Sequence, residues 1–166
     1  MLANDSLAPL FADGTIYQAY LSPLSYHRWH SPVSGIVQKA YVKDGTYYSE
    51  APSEGFDPAG PNDSQSYITE VATRALIFIE ADNPAIGLMC VLPAGMAEVS
   101  TCEITAYEGQ YVSKGDQLGM FHFGGSTHCL ISRPGVTLEF DHHGQEPGLN
   151  SQNMPVNSRI ATVVGK

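Results

Sequence analysis

The chain has 166 residues, of which 43% are hydrophobic and 15% charged, and its formal net charge is −9. This length supports one core of ordinary size and argues against a second full domain, and the apolar fraction excludes wholesale disorder. With only eight Lys and Arg in total, the composition argues against a nucleic-acid groove binder, because neutralising phosphates requires basic side chains.

Strand signals dominate the chain: short segments rich in Val, Ile, Thr, Tyr and Phe alternate with Gly, Pro, Asn or Asp. Residues 64–78 are ambiguous, because Ile68, Val71 and Leu76 could share a helix face, and we expect a strand there. Residues 50–66 and 141–155 are dense in turn-forming residues, which predicts two long surface loops. The predicted strands cover residues 14–22, 34–42, 74–81, 86–93, 97–107, 116–123, 127–133, 136–140 and 159–164.

This pattern predicts an all-β fold whose hairpins close into a barrel or sandwich. Residues 35–50 and 105–121 both show a strand, a lysine, a Gly/Asp turn and a second strand. The repeat suggests two similar β units, as in the barrel-sandwich of lipoyl- and biotinyl-carrier proteins. Carrier function itself is not expected, because Lys39, Lys43 and Lys114 lack the small or Met neighbours of a carrier lysine at a hairpin tip.

The chain has three cysteines and no C-x-x-C pair: Cys90, Cys102 and Cys129. Their apolar or β-forming neighbours predict buried reduced thiols, and their odd number suggests a reducing compartment. The longest hydrophobic run, "ALIFIE", is far shorter than a membrane span. These features predict a soluble, cytoplasmic protein.

The segment "YHRWHSPVSG" at residues 26–35 places His27 and His30 three positions apart. Two histidines are too few ligands for a stable zinc site, so we expect no metal. His142 and His143 lie in a polar loop and have no assigned role. As acid–base groups His27 and His30 fit better, because imidazole titrates near neutral pH. Their spacing alone leaves a functional and a structural role equally open.

A second segment, "GGST" at residues 124–127, interrupts an apolar strand pattern. A bulge or tight turn explains it simply, because glycine tolerates backbone conformations that other residues avoid. Alternatively, the Ser126 Oγ attacks the carbonyl carbon of Gly125 and displaces the amide nitrogen. That reaction requires a base for the hydroxyl proton, and His30 or His27 could serve.

Both segments resemble motifs of the phosphatidylserine decarboxylase family. "YLSPLSYHRWHSPVSG" is similar to its Leu-Ser-Pro-x-x-Tyr-His-Arg-x-His-x-Pro-x-x-Gly signature, and "VSKGDQLGMFHFGGSTHCLI" to its segment ending in Gly-Ser-Thr. The likeness covers nearly the whole chain and implies a single catalytic domain over residues 1–166. "GGST" and "DPAGPN" are closer to the soluble branch, which includes pyruvoyl-dependent tryptophan decarboxylases.

The resemblance implies that the proenzyme cuts itself between Gly125 and Ser126. The resulting ester breaks by β-elimination, and hydrolysis of the dehydroalanine leaves ammonia and a pyruvoyl group formed from Ser126. This group replaces a separate cofactor in the decarboxylation. By motif match, His30 is the triad base that activates Ser126, and His27 contacts the substrate carboxylate and returns a proton after CO2 leaves.

The family's triad also contains an Asp well upstream of the histidine motif, and this chain has no clear counterpart. Asp13 lies too close to the motif to match it. Because an Asp orients the His of a triad, we expect that the N-terminal region of the full proenzyme is a missing partner and that this chain alone cleaves itself poorly or not at all. An uncovered apolar face would also favour homo-oligomers.

The sequence leaves three functions open. The first is decarboxylation of phosphatidylserine to phosphatidylethanolamine, or of a related amino-acid substrate. The second is decarboxylation of a free aromatic amino acid such as tryptophan, which the acidic charge favours. The third is a non-catalytic, unprocessed module with a lipoyl-like fold that binds a partner or ligand.

Overall fold

A computed structural model describes residues 1–22, 24, 26–96, 101–122, 126–148 and 151–164. Within them the chain forms eleven strands, two short α-helices and two 3-10 helices. The helices are α1 (Gly60–Asp63) and α2 (Gln65–Val71), and the 3-10 helices are Ala8–Phe11 and Pro52–Glu54. The strands are β1 (Thr15–Leu21), β2 (Arg28–His30), β3 (Gly35–Lys43), β4 (Arg74–Ala81), β5 (Leu88–Gly95), β6 (Cys102–Ile104), β7 (Tyr111–Val112), β8 (Gln117–Phe121), β9 (Ser126–Ser132), β10 (Leu138–Phe140) and β11 (Ala161–Val163).

The main sheet has six strands in the order β1-β9-β5-β4-β3-β7, with every neighbouring pair antiparallel. A three-stranded sheet has the order β2-β8-β6, and β10 pairs with β11. All but one residue of β4 and every residue of β5 are buried, which explains their central positions, because strands covered on both faces are continuously apolar. The order places β9 between β1 and β5.

Alternation along the central strands creates two apolar faces on the main sheet. Ile77 and Ile79 of β4 pack in one buried cluster with Trp29 and Leu118 of the three-stranded sheet. Leu76 and Phe78 point to the opposite face, where Phe11 and other residues of the N-terminal segment cover them. The three-stranded sheet therefore packs on one face of the main sheet, and the N-terminal segment covers the other face.

The prediction of a mainly β protein is confirmed, and each predicted strand segment contains a strand. The short strands β2 and β7 were not predicted. Both larger sheets are open at their edges within the described residues, so the likeness to a carrier-type barrel-sandwich is not confirmed. The predicted repeat also breaks down: residues 105–121 contain β7, a turn and β8, whereas β3 is followed only by an isolated bridge at Thr46.

The expected strand over residues 64–78 is wrong in its first half. Residues Gln65–Val71 form α2, and β4 begins only at Arg74. Burial of Ile68 against Ala72 and Met96 selects the helix, because tertiary packing overrides weak local propensity. The predicted loop over residues 50–66 likewise contains α1 and a 3-10 helix. In the described part of the chain, no helix is long and apolar enough to cross a membrane.

The predicted burial of the cysteines holds for two of the three. Cys90 and Cys129 are buried, whereas Cys102 is half-buried, and all three are free thiols. Burial raises the pKa of Cys129 to about 12. These thiols therefore remain protonated at neutral pH and serve as small apolar core groups.

Candidate active site

Ser126 is the first residue of β9 and is fully buried between two neighbouring strands. It pairs in register with Leu21 of β1 and with Gly95 of β5. Its Oγ atom has no hydrogen-bond partner among the described residues. A buried hydroxyl normally finds a partner, so this orphan oxygen makes Ser126 a candidate for a reactive position. Gly125, the other residue of the predicted cleavage bond, lies outside the described residues.

His30 ends β2 and has both ring nitrogens engaged. Nδ1 lies 2.8 Å from the carbonyl oxygen of Gly115, and Nε2 lies 2.7 Å from the hydroxyl of Tyr26. Because a carbonyl can only accept, Nδ1 carries the proton and Nε2 accepts from Tyr26. Gly115 thus takes the orienting position that a carboxylate has in a Ser-His-Asp triad, but without its negative charge.

His27 lies just before β2 and contacts the end of β8. Its carbonyl oxygen accepts a hydrogen bond from the Phe121 N–H at 3.0 Å. Its ring also meets the Phe121 ring edge-on, with centroids 6.4 Å apart. Phe121 ends β8, five residues before Ser126. The strand pairing of β2 with β8 therefore holds the histidine motif beside the chain that carries the predicted cleavage bond.

A cavity of about 1080 Å³ opens on one face of the main sheet. Tyr17, Ala19 and Leu21 of β1 and His128 and Leu130 of β9 line it, and we call these five residues the cavity floor. Directly paired residues of neighbouring strands share a face. Ser126, as the register partner of Leu21, therefore points to the cavity side of the sheet at one end of the floor.

The remaining walls of the cavity come from three other parts of the chain. His30 and Tyr26 line it, and so does the continuous segment 154–163, which we call the C-terminal arm. Phe140 of β10 also lines the cavity, and its ring stacks on Tyr17 with centroids 5.9 Å apart and an interplanar angle of 19°. The charged lining residues are Arg28, Lys114, Arg159 and Asp82. The cavity is thus largely apolar with an excess of cations, which suits an aromatic or apolar ligand that carries a carboxylate.

His128 is a cavity residue that the sequence reasoning missed. Its Nε2 atom is buried without a hydrogen-bond partner among the described residues. Burial lowers the pKa of His128 to about 4, so the ring is neutral at pH 7. The available signal was its position two residues after Ser126 in a strand, because alternate strand residues share a face.

The sequence predicts no Asp to complete a triad with His30. The structure shows where two acidic residues near the N-terminus, Asp5 and Asp13, lie. Asp5 is buried and contacts Lys39 and the Tyr41 hydroxyl. Tyr41 packs on the cluster that contains Cys129, which is the sheet face opposite Ser126. Asp13 sits in the exposed turn before β1 with φ of 61°. Asp5 therefore anchors the N-terminal segment and does not serve the His30 site.

His142 and His143, to which the sequence assigns no role, contact other residues of the C-terminal part of the chain. His142 stacks on Phe140 with centroids 5.8 Å apart, and His143 contacts the Arg159 carbonyl oxygen. Within the described residues, no three His, Cys, Asp or Glu side chains are grouped so that they could hold a metal ion.

Comparison with known proteins identifies relatives over most of the chain. The sequence model of the phosphatidylserine decarboxylase family matches residues 1–152. Decarboxylase iboD of Amanita muscaria is 45% identical over 98% of this chain and 49% of its own length. L-tryptophan decarboxylase of Psilocybe cubensis is 45% identical over 89% of this chain and 36% of its own length.

A more distant relative has a lipid substrate in its name. Phosphatidylserine decarboxylase proenzyme 3 of Schizosaccharomyces pombe is 31% identical over 82% of this chain and 13% of its own length. The chain therefore spans half or less of the length of each of these three relatives.

Proposed function

Because the chain belongs to the phosphatidylserine decarboxylase family, we propose that it is the core of a decarboxylase that cuts itself between Gly125 and Ser126. The observation that carries this proposal is the Ser126 Oγ, which is fully buried and has no partner among the described residues. A hydroxyl in that state has lost its water without gaining a hydrogen bond, so it is costly as a structural group. Its position is explained if the oxygen attacks the preceding carbonyl.

The surroundings of Ser126 fit a pyruvoyl group formed from that residue. Such a group supplies a ketone that binds the substrate amine and withdraws electrons as CO2 leaves. Residue 126 would present it at one end of the cavity floor, beside Leu21. The cavity is largely apolar and is lined by Arg28, which donates to Gln117 Oε1 at 2.9 Å and offers a positive charge for a substrate carboxylate.

His30 is the proposed base for the self-cleavage. Its Nε2 carries the lone pair, because Nδ1 donates to Gly115. To accept the Ser126 proton, Nε2 must first lose the hydrogen bond from Tyr26. The Gly115 carbonyl keeps the ring in the correct tautomer but does not neutralise the imidazolium that forms. We therefore expect slow cleavage by this chain alone, with the missing negative charge supplied by the rest of the proenzyme.

His27 is proposed to act after cleavage, by contacting the substrate carboxylate and returning a proton to the carbon that loses CO2. Its contacts with Phe121 hold it at the end of β8, which precedes Ser126 by five residues in the chain. A positioned imidazole contributes roughly 10²–10⁴-fold to such proton transfers.

Two substrates follow from the family: the serine headgroup of phosphatidylserine and a free aromatic amino acid. The stacked pair of Tyr17 and Phe140 in the cavity favours the aromatic amino acid, because a planar side chain can pack on such rings. The relative from Psilocybe cubensis is named for tryptophan, which agrees with this choice. The third candidate is an unprocessed chain that binds a ligand without catalysis.

Two measurements test the proposal. Intact mass should show a fraction of the chain split into two fragments at Gly125–Ser126, with the second fragment blocked at its N-terminus. Incubation with carboxyl-labelled L-tryptophan or phosphatidylserine should release CO2 from tryptophan. The Ser126→Ala variant is the matched control, and it should remain uncut and inactive.

The outcomes separate the three candidate functions. CO2 release from phosphatidylserine alone would identify the lipid enzyme, and release that Ser126→Ala retains would exclude a role for the pyruvoyl group. An uncut chain that releases CO2 from neither substrate would contradict the proposed function and support the binding module.

A further inference from the structure

The two contacts of the His30 ring differ in whether they fix the position of its proton. Nε2 lies 2.7 Å from the hydroxyl of Tyr26, and a hydroxyl can either donate or accept. Nδ1 lies 2.8 Å from the carbonyl oxygen of Gly115, which can only accept. Of these two contacts, only the one with Gly115 therefore selects the tautomer that has the proton on Nδ1 and the lone pair on Nε2.

Gly115 belongs to a tight turn between β7 and β8, residues 113–116, which we call the Gly115 turn. The Asp116 N–H donates to the Ser113 carbonyl at 2.9 Å, and the Ser113 N–H donates to Oδ2 of Asp116 at 2.8 Å. Gly115 has a φ of +95°, a conformation that residues with a Cβ rarely adopt. The side chain of Asp116 thus closes a turn whose backbone is otherwise unfavourable.

The Gly115 turn is attached by its backbone to the strand end that carries His30. The Gly115 N–H donates to the carbonyl of Ser31 at 2.8 Å, and the Ser31 N–H donates to the carbonyl of Asp116 at 2.8 Å. The β2–β8 register also shifts between Trp29 and His30, and such a bulge re-aims a side chain. The ring of His30 and its acceptor are therefore held against each other by neighbouring backbone groups.

We propose that Asp116 is a positioning residue, whose carboxylate closes the Gly115 turn and thereby keeps the Gly115 carbonyl on Nδ1 of His30. The inference rests on the proposed function, in which Nε2 of His30 takes the proton of Ser126. When the turn opens, Nδ1 loses its acceptor and the ring can adopt the other tautomer. Nε2 then carries a hydrogen and has no lone pair with which to accept a proton.

The rate of self-cleavage, followed by intact mass, is the first test. Asp116→Ala should slow cleavage by at least about tenfold, within the loss of up to about 10⁴-fold that the wrong tautomer causes in a serine triad. Asp116→Asn keeps an oxygen that can accept from the Ser113 N–H and should restore most of the rate. Asp57→Ala is the matched control, because Asp57 Oδ1 accepts from the Ala59 N–H at 2.9 Å in another exposed turn, and it should cleave normally.

Nitrogen NMR of the His30 ring tests the inference without requiring self-cleavage. The chain with Ser126→Ala stays whole, and at about pH 8.5 a free imidazole is neutral. We expect the proton on Nδ1 in this parent chain. Adding Asp116→Ala should move a measurable fraction of the proton to Nε2, whereas adding Asp116→Asn or Asp57→Ala should leave it on Nδ1. Loss of the His30 signals in His30→Ala assigns them.

The tautomer decides the inference whatever the rate. A proton on Nε2 in the parent chain, or an unchanged tautomer after Asp116→Ala, would overturn it. So would an Asp116→Asn chain that cleaves as slowly as Asp116→Ala but keeps Nδ1 protonated, because the charge of Asp116 would then act directly on the reaction. Asp116 is exposed, so both variants should unfold in urea close to wild type, and a change of tautomer in such folded chains reports on the turn.

Failure of this inference is distinguishable from failure of the proposed function. A wild-type chain that stays uncut, combined with a tautomer that Asp116→Ala changes, contradicts the proposed self-cleavage but supports the positioning role. A wild-type chain that cuts itself, combined with an Asp116→Ala chain that cuts equally fast, supports the proposed function and overturns the positioning role.

Discussion

The two histidines of the "YHRWH" segment differ in what their atoms contact, and this difference predicts separate roles. His30 Nε2 accepts from a hydroxyl and can serve as a base, whereas His27 is anchored beside Phe121. We expect His30→Ala to leave an uncut chain. His27→Ala should cut itself normally but release CO2 roughly 10²–10⁴-fold more slowly.

Intact mass and CO2 release measured on the same samples check both expectations. His143→Ala, in an exposed loop, is the histidine control and should preserve both reactions. If both variants are equally uncut, the division of roles is wrong.

At the same scale, the half-buried imidazole of His128, whose Nε2 atom is fully buried, makes stability depend on pH. Burial lowers its pKa to about 4 in the folded chain, from 6.5 for an exposed histidine. The unfolded chain therefore binds a proton that the folded chain does not, so stability falls as pH decreases from about 6.5 to about 4. The loss amounts to at most about 3.5 kcal/mol, since one pKa unit corresponds to about 1.4 kcal/mol and the pKa falls by about 2.5.

Urea unfolding at several pH values, followed by the fluorescence of the single tryptophan, Trp29, measures this loss. The His128→Leu variant should lose less stability than wild type over that range. An identical slope in both proteins would show that His128 is not buried as a neutral ring.

The sequence could single out Ser126, His27 and His30 as candidate site residues because each lies in a motif with recognisable chemistry. His128 has no motif of its own, and its neighbours "THCLIS" indicate only a buried strand. Its place on the cavity floor depends on Ala19 being opposite and on a cavity above it. Both are properties of strand pairing between segments more than a hundred residues apart, which the sequence alone does not specify.

At the scale of elements, strand pairing between β2 and β8 positions the histidine motif, and Gly119 makes that pairing possible. Trp29 pairs with Gly119, and a Cβ added there would lie 2.6 Å from the Trp29 ring and 2.3 Å from the Glu103 carbonyl oxygen. We expect Gly119→Ala to destabilise the fold by about 1–3 kcal/mol, the usual effect of overpacking. Because β2 ends at His30, self-cleavage should fall as well.

Urea unfolding and intact mass test this expectation. Gly109→Ala is the control, because its φ is +84° and no atom lies within 4 Å of the added Cβ. That variant should lose about 1 kcal/mol through backbone strain alone and keep its rate of self-cleavage. A Gly119→Ala chain that is stable and cleaves normally would contradict this account of β2.

The accuracy of the predicted elements followed their length and composition. Mainly apolar segments such as 74–81 were predicted correctly, because their residues suit a strand buried on both faces. Strands β2 and β7 have three and two residues, which is too short for any periodic signal. Helix α2 was missed because Ile68 and Val71 are β-formers, and only contact with Met96 across the chain favours the helix.

For the molecule as a whole, the buried clusters contain no described residue of the C-terminal arm, whereas the cavity uses the arm as one of its walls. No described residue beyond Ile131 belongs to the buried clusters. The C-terminal arm instead lines the cavity, and β11 within it pairs with β10, which carries Phe140. The arm also lies beyond residues 1–152, which the family sequence model matches. This division suggests that the family core supplies stability and chemistry, whereas the arm contributes to substrate choice.

Truncation after residue 152 tests this division. The shortened chain loses one cavity wall and the β11 partner of Phe140, so L-tryptophan affinity in the Ser126→Ala background should fall at least about tenfold, equivalent to about 1.4 kcal/mol. Its urea midpoint, followed by Trp29 fluorescence without ligand, should change little, because Trp29 packs in a cluster that contains no arm residue.

A point substitution in the arm removes a single contact to the cavity floor and leaves the rest of the arm in place. Met154→Ala in the full-length chain removes the sulfur that the Tyr17 hydroxyl contacts and should give a smaller loss of affinity than truncation. If truncation unfolds the protein, the arm is part of its core in solution. If truncation leaves tryptophan affinity unchanged, the floor and Phe140 alone bind the substrate, and the arm has no part in its selection.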